Sequence, residues 1–417
     1  MRKALKALWI LLAAVVVTAA VSTVLFMILH SKNLGCRLKK EPAQLPVLYI
    51  NTQEEIPWDG NVTCSVAFVN AHDSVIHTGK IHFRGGISSK YEKHSYSLKL
   101  DEAHAVCGLP SNRSWILNAS YIDKTFMRHK LCYDLFNMMD SNNIAPKCQY
   151  ALVRENGRPQ GLYIVMQRLN KTVLKLDTDD TAAVIFKEPK IFYPDNQMPE
   201  KSLFGDNYQE QTYPDFKKGD RNYLMDNFRH FLTKTSDKEF YAHIGEWIDL
   251  QNLIDYHLFL LFTNGGDGVK KNFYLYKQDA ETPYRIAPWD CDHSFGRDGD
   301  NEKNMLERPL DVNQNILIDR MLKSNHYREA LAKRYWDLRN SDIFSYNTIE
   351  NLMIINDPEV RLGLDENTKL WPIDSENYYD AANYDEECAL ILDFVKMSLE
   401  HWDRYFSTSK VSAKQSR

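Results

Sequence analysis

The sequence predicts an α+β protein with a β-rich N-terminal lobe, a helix-rich C-terminal lobe and one apolar helix ahead of both. Three observations carry that prediction. Short runs alternate apolar and polar residues, or are continuously apolar between turn residues, up to about residue 185, as strands do. Helical spacing enters at Asp123 and dominates the second half of the chain. The stretch Leu8 to Leu29 is 22 residues without a charge. With 417 residues, 44% of them hydrophobic and 12% aromatic, the chain has material for one large or two ordinary domains.

The apolar N-terminal run is ~33 Å long as a helix, enough to cross a bilayer core. Arg2, Lys3 and Lys6 precede it, and Lys32, Arg37, Lys39 and Lys40 follow, so flanking charge does not orient it. The run is long for a cleaved signal peptide and no small-x-small site closes it. Residues 1–40 are therefore expected to be a single-pass signal-anchor in the cell membrane, with the rest of the chain outside the cytoplasm. Of the 51 Lys and Arg, seven fall in residues 1–40, where there is no Asp or Glu, so the remaining 44 face 56 acidic residues. That balance excludes a nucleic-acid footprint and leaves the basic flank to meet lipid headgroups. The seven cysteines are scattered, odd in number and lack a C-x-x-C pair, which argues against a zinc ribbon or a disulfide scaffold.

From residue 41 the elements follow in order. Val47–Ile50 and Cys64–Val69 read as strands, Lys80–Arg84 alternates and stops at Gly85-Gly86, and Ser95–Leu100 alternates again. Together these describe an antiparallel β-rich part, about 41–185. Met127, Leu131, Leu135 and Met138 mark the core face of a helix. Tyr150–Arg154 and Gly161–Met166 flank Asn156-Gly157 as a hairpin. Residues from about 190 to 222 are rich in Pro, Asp, Asn and Lys and read as an exposed insertion. Trp247 to Thr263 is an apolar helix with Asp249 as N-cap, ending at Gly265-Gly266 and delivering Asp267. Asn272–Tyr276 and Tyr284–Ala287 form a second hairpin that ends at Trp289-Asp290. Helices cover Asn315–Asn340 and Glu386–Tyr405, closing a helical and catalytic part of about 223–406, and residues 407–417 are a polar tail.

The chemistry concentrates between Asp267 and Gly296. Asp267 and Asn272 are five residues apart, after a buried helix and before a hairpin, and Trp289-Asp290-Cys291-Asp292 follows. If that last segment is strand-like, Asp290 and Asp292 share a face, where they repel unless a cation or a proton intervenes. Hence Asp290 and Asp292, with Asn272, are candidate ligands for Mg²⁺ or Mn²⁺, while Cys291 and His293 are expected to point the other way. Paired N-caps of a following turn are the competing reading. Arg84, Gly85, Ser88 and Ser89 could wrap phosphates, since glycines admit close backbone approach and the other side chains donate hydrogen bonds; an ordinary hairpin turn is the alternative. Lys93 and Lys99 are candidates for a phosphate-binding lysine. The order of glycine turn, strand lysine, helix, Asp-x-x-x-x-Asn, strand pair and metal Asp is that of protein kinases.

Several of these segments also carry a family resemblance: Arg84–Ser89 with Lys93–Leu100, Trp115-Ile-Leu with Asp123-Lys124 and Met127-Arg128, Asn156-Gly157 with Gly161-Leu-Tyr163, Lys271–Tyr276, and Pro288–Gly296. Over about residues 80–300 the chain resembles the CotH kinase family, named for a bacterial spore-coat protein. The resemblance implies an atypical, two-lobe protein-kinase-like fold that uses ATP and a divalent metal to phosphorylate serines of partner proteins. By position it implies Asp267 as the catalytic aspartate, Asn272 and Asp290 at the metal, and Arg84 to Ser89 as the phosphate loop. Two positions depart from the family pattern: Gln167 stands where a Glu is usual, and His94 where a second basic residue is expected. The expectation is a membrane-anchored, metal-dependent kinase acting on secreted or surface proteins. A catalytically silent scaffold that keeps the fold for binding is the alternative that Gln167 motivates.

Overall fold

A computed structural model describes residues 45–70, 73–198, 206–297, 310–373 and 382–415. The expected membrane-crossing segment Leu8 to Leu29 lies outside the described residues. Among the described residues no helix is long and apolar enough to cross a membrane.

The N-terminal part is a closed seven-stranded barrel. Its strands are β1 (Val47–Thr52), β2 (Val62–Asn70), β3 (Asp73–Arg84), β4 (Ser95–Val106), β5 (Leu109–Asn118), β6 (Cys148–Glu155) and β7 (Arg158–Gln167), with α1 (Arg128–Met139) between β5 and β6. They are ordered β1-β2-β3-β4-β5-β7-β6. Neighbours run antiparallel except β1 and β6, which close the barrel in parallel with Val47 opposite Leu152. The sequence suggests only antiparallel pairs because alternation marks local strands and says nothing of a pairing between distant ones. Leu48, Ile50, Val66, Ile81, Leu98, Trp115, Val153 and Tyr163 fill the barrel. On β5, β6 and β7 the alternate residues Ile116, Tyr150, Leu162, Ile164 and Met166 face a second core that includes α1. Both faces of those strands are thus buried, which is why Gly161–Met166 reads as a continuous apolar run. On α1 the core face includes Leu131, Leu135 and Met139, while Met138 is exposed; the helical period carries the stripe one residue past its expected end.

The rest is mainly helical: α2 (Asn222–Lys234), α3 (Asp237–Trp247), α4 (Leu250–Thr263), α5 (Ile316–Leu322), α6 (Asn325–Asn340), α7 (Tyr346–Leu370) and α8 (Tyr384–Gln415). A small sheet, ordered β11-β10-β8-β9, joins it, from β8 (Val184–Lys187), β9 (Gln211–Tyr213), β10 (Phe273–Lys277) and β11 (Arg285–Pro288). Helix α4 is the central post, touching α1, α6, α8 and β11. Asp249 caps it, accepting from the Gln251 and Asn252 amides at 3.0 and 3.1 Å. The helix therefore starts at Leu250, and Trp247 instead closes α3. It ends at Asn264, whose φ of 54° is left-handed, one residue before the expected glycines.

Three further differences from the sequence reading have physical causes. Among the described residues of the segment from about 190 to 222, part is packed, since Phe192 is buried against Phe228 and Phe273 and β9 extends the small sheet, while Asp195, Asn196, Asp215 and Asp220 are exposed as expected. Helix α7 is missed because Pro358 and a polar composition mask it; at Gly363 it lies so close to β7 that a Cβ would meet Leu162 Cδ1 at 2.8 Å. Helix α8 continues to Gln415, through most of the expected tail.

Candidate active-site cleft

Four segments converge on one cleft between the barrel and the helical part. The first is the β3–β4 connection. Arg84 ends β3, Gly85 takes φ 152° with a Cβ position only 2.6 Å from Ser88 Oγ, and Ile87–Lys90 forms a short 3₁₀ turn. Ser89 Oγ donates to Gly86 O at 2.7 Å, so it shapes the turn.

The second segment leaves α4. Asn264 turns the chain, Gly266–Val269 forms a 3₁₀ turn, and Tyr256 donates to Gly268 O at 2.7 Å from inside the helix. Asp267 is thereby fixed at the cleft, 3.0 Å from Lys271 Nζ and 3.3 Å from Asn272 Nδ2.

The third segment is the base of the β10–β11 hairpin. Asn272 and Asp290 flank it, both left-handed at φ 59° and 52°. The Trp289 amide donates to Asn272 O at 2.9 Å, and Asn272 Nδ2 donates to Asp290 O at 2.9 Å. The strand stops at Pro288, so Asp290 and Asp292 do not alternate along a strand as expected. The left-handed turn at Asp290 breaks the period of two, and His293 swings toward the acids: its Nδ1 is 3.7 Å from Asp267 Oδ2 and its Nε2 4.0 Å from Asp292 Oδ1.

Helix α1 supplies the fourth part. His129, 1% exposed, sets Nε2 3.1 Å from Asp290 Oδ1, and Tyr133 accepts from the Asp290 amide at 3.0 Å. One donor atom each from His129, Asp290 and Asp292 lies within 4.8 Å of the others. Desolvation by the surrounding protein would raise the Asp290 pKa, but the bond and charge of His129, with Arg84 and His293, outweigh it and hold the carboxyl well below the usual range. Asp292 is pushed up, first by desolvation and then by the charge of Asp290. Desolvation opposes charge on His129 too, yet its bond to Asp290 and the nearby carboxylates raise its pKa. An imidazole and two carboxylates that repel each other, gathered this closely, fit a divalent cation.

Behind the cluster lies a buried charge network. Arg128 Nη1 meets Asp123 Oδ1 at 2.6 Å, its Nη2 meets Glu387 Oε2 at 3.2 Å, and its Nε donates to Ser294 O at 3.1 Å. Arg297 also pairs with Glu387. Two cations and two carboxylates thus pin the segment after Asp292 to α1 and α8.

The cleft in front of this cluster has a volume of about 600 Å³, and Arg84, Gly85, Ser88, Asp267, Asn272, Asp290 and Asp292 all border it. Asn272 uses both Nδ2 bonds as a brace, which leaves only its Oδ1 as a ligand atom. Neither Lys93 nor Lys99 borders this cleft, but Lys93 lines a smaller cavity with Arg84, Gly85, Ser88, His129, Asp290 and Asp292. Lys93 is 1% exposed and donates to Ala119 O, Leu162 O and Asn367 Oδ1, so it has no proton left for a phosphate. Lys99 is exposed on the outer barrel face between Lys80 and Ser114, two residues beyond Ser97, which does border the cleft. Gln167 lies outside the cleft lining, accepting from Lys147 N at 3.2 Å. The sequence reading misses His129, because it lies off the Met127–Leu131–Leu135 stripe and 161 residues from Asp290. Arg168, Lys187 and Glu188 also line the cleft, with no motif to mark them.

The model of the family described as CotH kinase protein matches residues 81–400, from the third barrel strand into α8. The inner spore coat protein H of Bacillus subtilis (strain 168) is 25% identical over 349 residues, covering 81% of this chain and 89% of that protein. The chain belongs to the CotH kinase protein family.

Proposed function

We propose that the protein is a metal-dependent atypical kinase that transfers the γ-phosphoryl group of ATP to serine, or threonine, of a partner protein. The observation that carries the reading is the meeting of Asp267 with Asp290 and Asp292, which cluster with His129, in one cleft that Arg84 to Ser88 also border. In this reading the barrel and the helical part play the two lobes of a kinase.

Asp267 is the residue that orients the acceptor hydroxyl and takes its proton, with Lys271 and Asn272 fixing its carboxylate. Asp290, Asp292 and His129, with Asn272 bordering the same cleft, would hold Mg²⁺ or Mn²⁺. That cation, when bound, supplies charge neutralisation at the phosphate oxygens. Arg84 and the amides of the Gly85–Ser88 turn bind phosphate oxygens. The signal-anchor reading of residues 1–40 would hold the enzyme on the outer face of the cell membrane, with secreted or surface proteins as its substrates. Gln167 motivated a silent scaffold, and its side chain is engaged away from the cleft; no observation favours that alternative.

The full-length chain, purified in detergent with Mg²⁺ or Mn²⁺ and γ-labelled ATP, is expected to label protein serines. Asp267→Asn should abolish transfer with Mn²⁺ binding intact, and Asp290→Asn should remove both. Label transfer unchanged in Asp290→Asn would sink the mechanism.

A further inference from the structure

The cleft has a cationic end as well as an acidic one. Most arginines of the protein spend their guanidinium on protein acceptors: Arg154 on Glu366, Arg334 on Asp255, Arg339 on Asp403. Arg84 and Arg168 do not; among the described residues neither side chain has a carboxylate partner, and both border the cleft. Arg84 Cζ lies 5.9 Å from the centre of the Trp289 ring, and that ring meets Tyr274 edge-on at 5.5 Å. Tyr274 pairs across the small sheet with Lys187, so the two side chains share a face at neighbouring positions. Arg168 follows β7 directly, its amide bonded to Ser114 O at 3.1 Å. Arg84, Arg168, Lys187, Tyr274 and Trp289 thus border one cleft, which also carries Asp290 and Asp292.

We propose that Arg84, Arg168 and Lys187, set around Tyr274 and Trp289, form an anion subsite that takes a phosphate group of a polyphosphate ligand whose metal-bound end lies at Asp290 and Asp292. The inference rests on the phosphoryl-transfer reading above and adds Arg168 and Lys187 to it. A planar guanidinium matches two phosphate oxygens at once, and Lys187 adds a point charge. Lys187 is shared with Glu188 at 3.4 Å, so the arginines supply most of the hold. Recognition at this end is of the phosphate chain, not of the nucleoside.

The test is binding by calorimetry to the full-length protein in EDTA, with inorganic tripolyphosphate, ATP and phosphoserine as probes. The Arg168→Ala/Lys187→Ala double variant should lose at least about tenfold in affinity for both tripolyphosphate and ATP, the loss of one or two charge-assisted contacts. Both side chains sit at the cleft surface, and an unchanged melting temperature checks the fold. Arg168→Lys should recover part of the loss, and wild-type affinity should fall with added salt. Asp290→Asn should remove Mn²⁺ binding, followed by electron paramagnetic resonance, yet leave tripolyphosphate binding in EDTA. If it keeps Mn²⁺, the metal reading fails while the anion result stands separately. Tripolyphosphate bound equally by wild type and the double variant overturns the subsite. So does a loss confined to ATP, which would make Arg168 a reader of the nucleoside, and so does tighter binding of phosphoserine than of tripolyphosphate.

Discussion

Glu387→Gln is the substitution whose effect the structure specifies best. Glu387 is fully buried, accepts from Arg128 Nη2 and Arg297 Nε at 3.2 Å each, and also pairs with Arg297 Nη2. The glutamine has the same shape but no charge, so the two buried guanidiniums lose the carboxylate they share, while Arg128 keeps Asp123. Breaking a buried pair from one side costs about 3–5 kcal/mol. Because the amide oxygen still accepts one bond, the lower figure applies. With ~2.1 cal/mol/K of unfolding entropy per residue over a unit of roughly 370 residues, about 3 kcal/mol lowers the melting temperature by about 4 °C. Scanning calorimetry reads this directly. A second readout is specific to the site: Arg128 Nε holds Ser294 O at 3.1 Å, so a loosened Arg128 releases the segment carrying Asp290 and Asp292, and Mn²⁺ affinity should fall in protein that remains folded. Replacing both partners, Arg297→Met with Glu387→Met, should recover much of the stability, since apolar substitutes avoid the desolvation cost. A Glu387→Gln variant that melts within about 1 °C of wild type and binds Mn²⁺ equally would refute the reasoning.

Three other outcomes follow from burial. His257, fully enclosed with Nδ1 3.2 Å from the Tyr327 hydroxyl, has its pKa pushed down to about 3 by burial. The unfolded chain therefore binds the extra proton first: this contribution to stability is whole above pH ~6.5 and declines toward pH ~3 by up to about 1.4 kcal/mol per unit. Urea midpoints from pH 7 to 5 should shift less in His257→Phe than in wild type. Gly363→Ala gains helix propensity of about 1 kcal/mol, yet its methyl would press on Leu162 Cδ1 at 2.8 Å and Leu45 Cδ1 at 3.1 Å; a net loss of about 1–2 kcal/mol is expected, and an increase in melting temperature would contradict the close packing of α7 on the barrel. Lys93→Met strands three buried acceptors, Ala119 O, Leu162 O and Asn367 Oδ1, and should cost about 2–4 kcal/mol of stability. A stable Lys93→Met protein with weakened nucleotide binding would restore Lys93 as a phosphate ligand.

The sequence by itself determined whatever depends on neighbours along the chain. A short apolar run located the strand Val47–Ile50 and alternation located Ser95–Leu100, Asn156-Gly157 located a hairpin turn, and Asp249 located the start of α4, because strand pattern, turn chemistry and capping are all set within a few residues. The ordered motifs also fixed the family, and Asp267, Asn272 and Asp290 meet at one cleft as their order suggested. The tertiary structure decided what depends on distant segments. It turned Asp290 left-handed, so that His293 joined the acids, and it brought His129 from α1 to Asp290. It also enclosed Lys93 and brought Arg168 and Lys187 to the cleft that the carboxylates border. A lysine in an alternating strand looks the same whether it ends in a cleft or among carbonyls. Only the packing of the barrel against the helices distinguishes the two, because desolvation and partner geometry are properties of the assembled core.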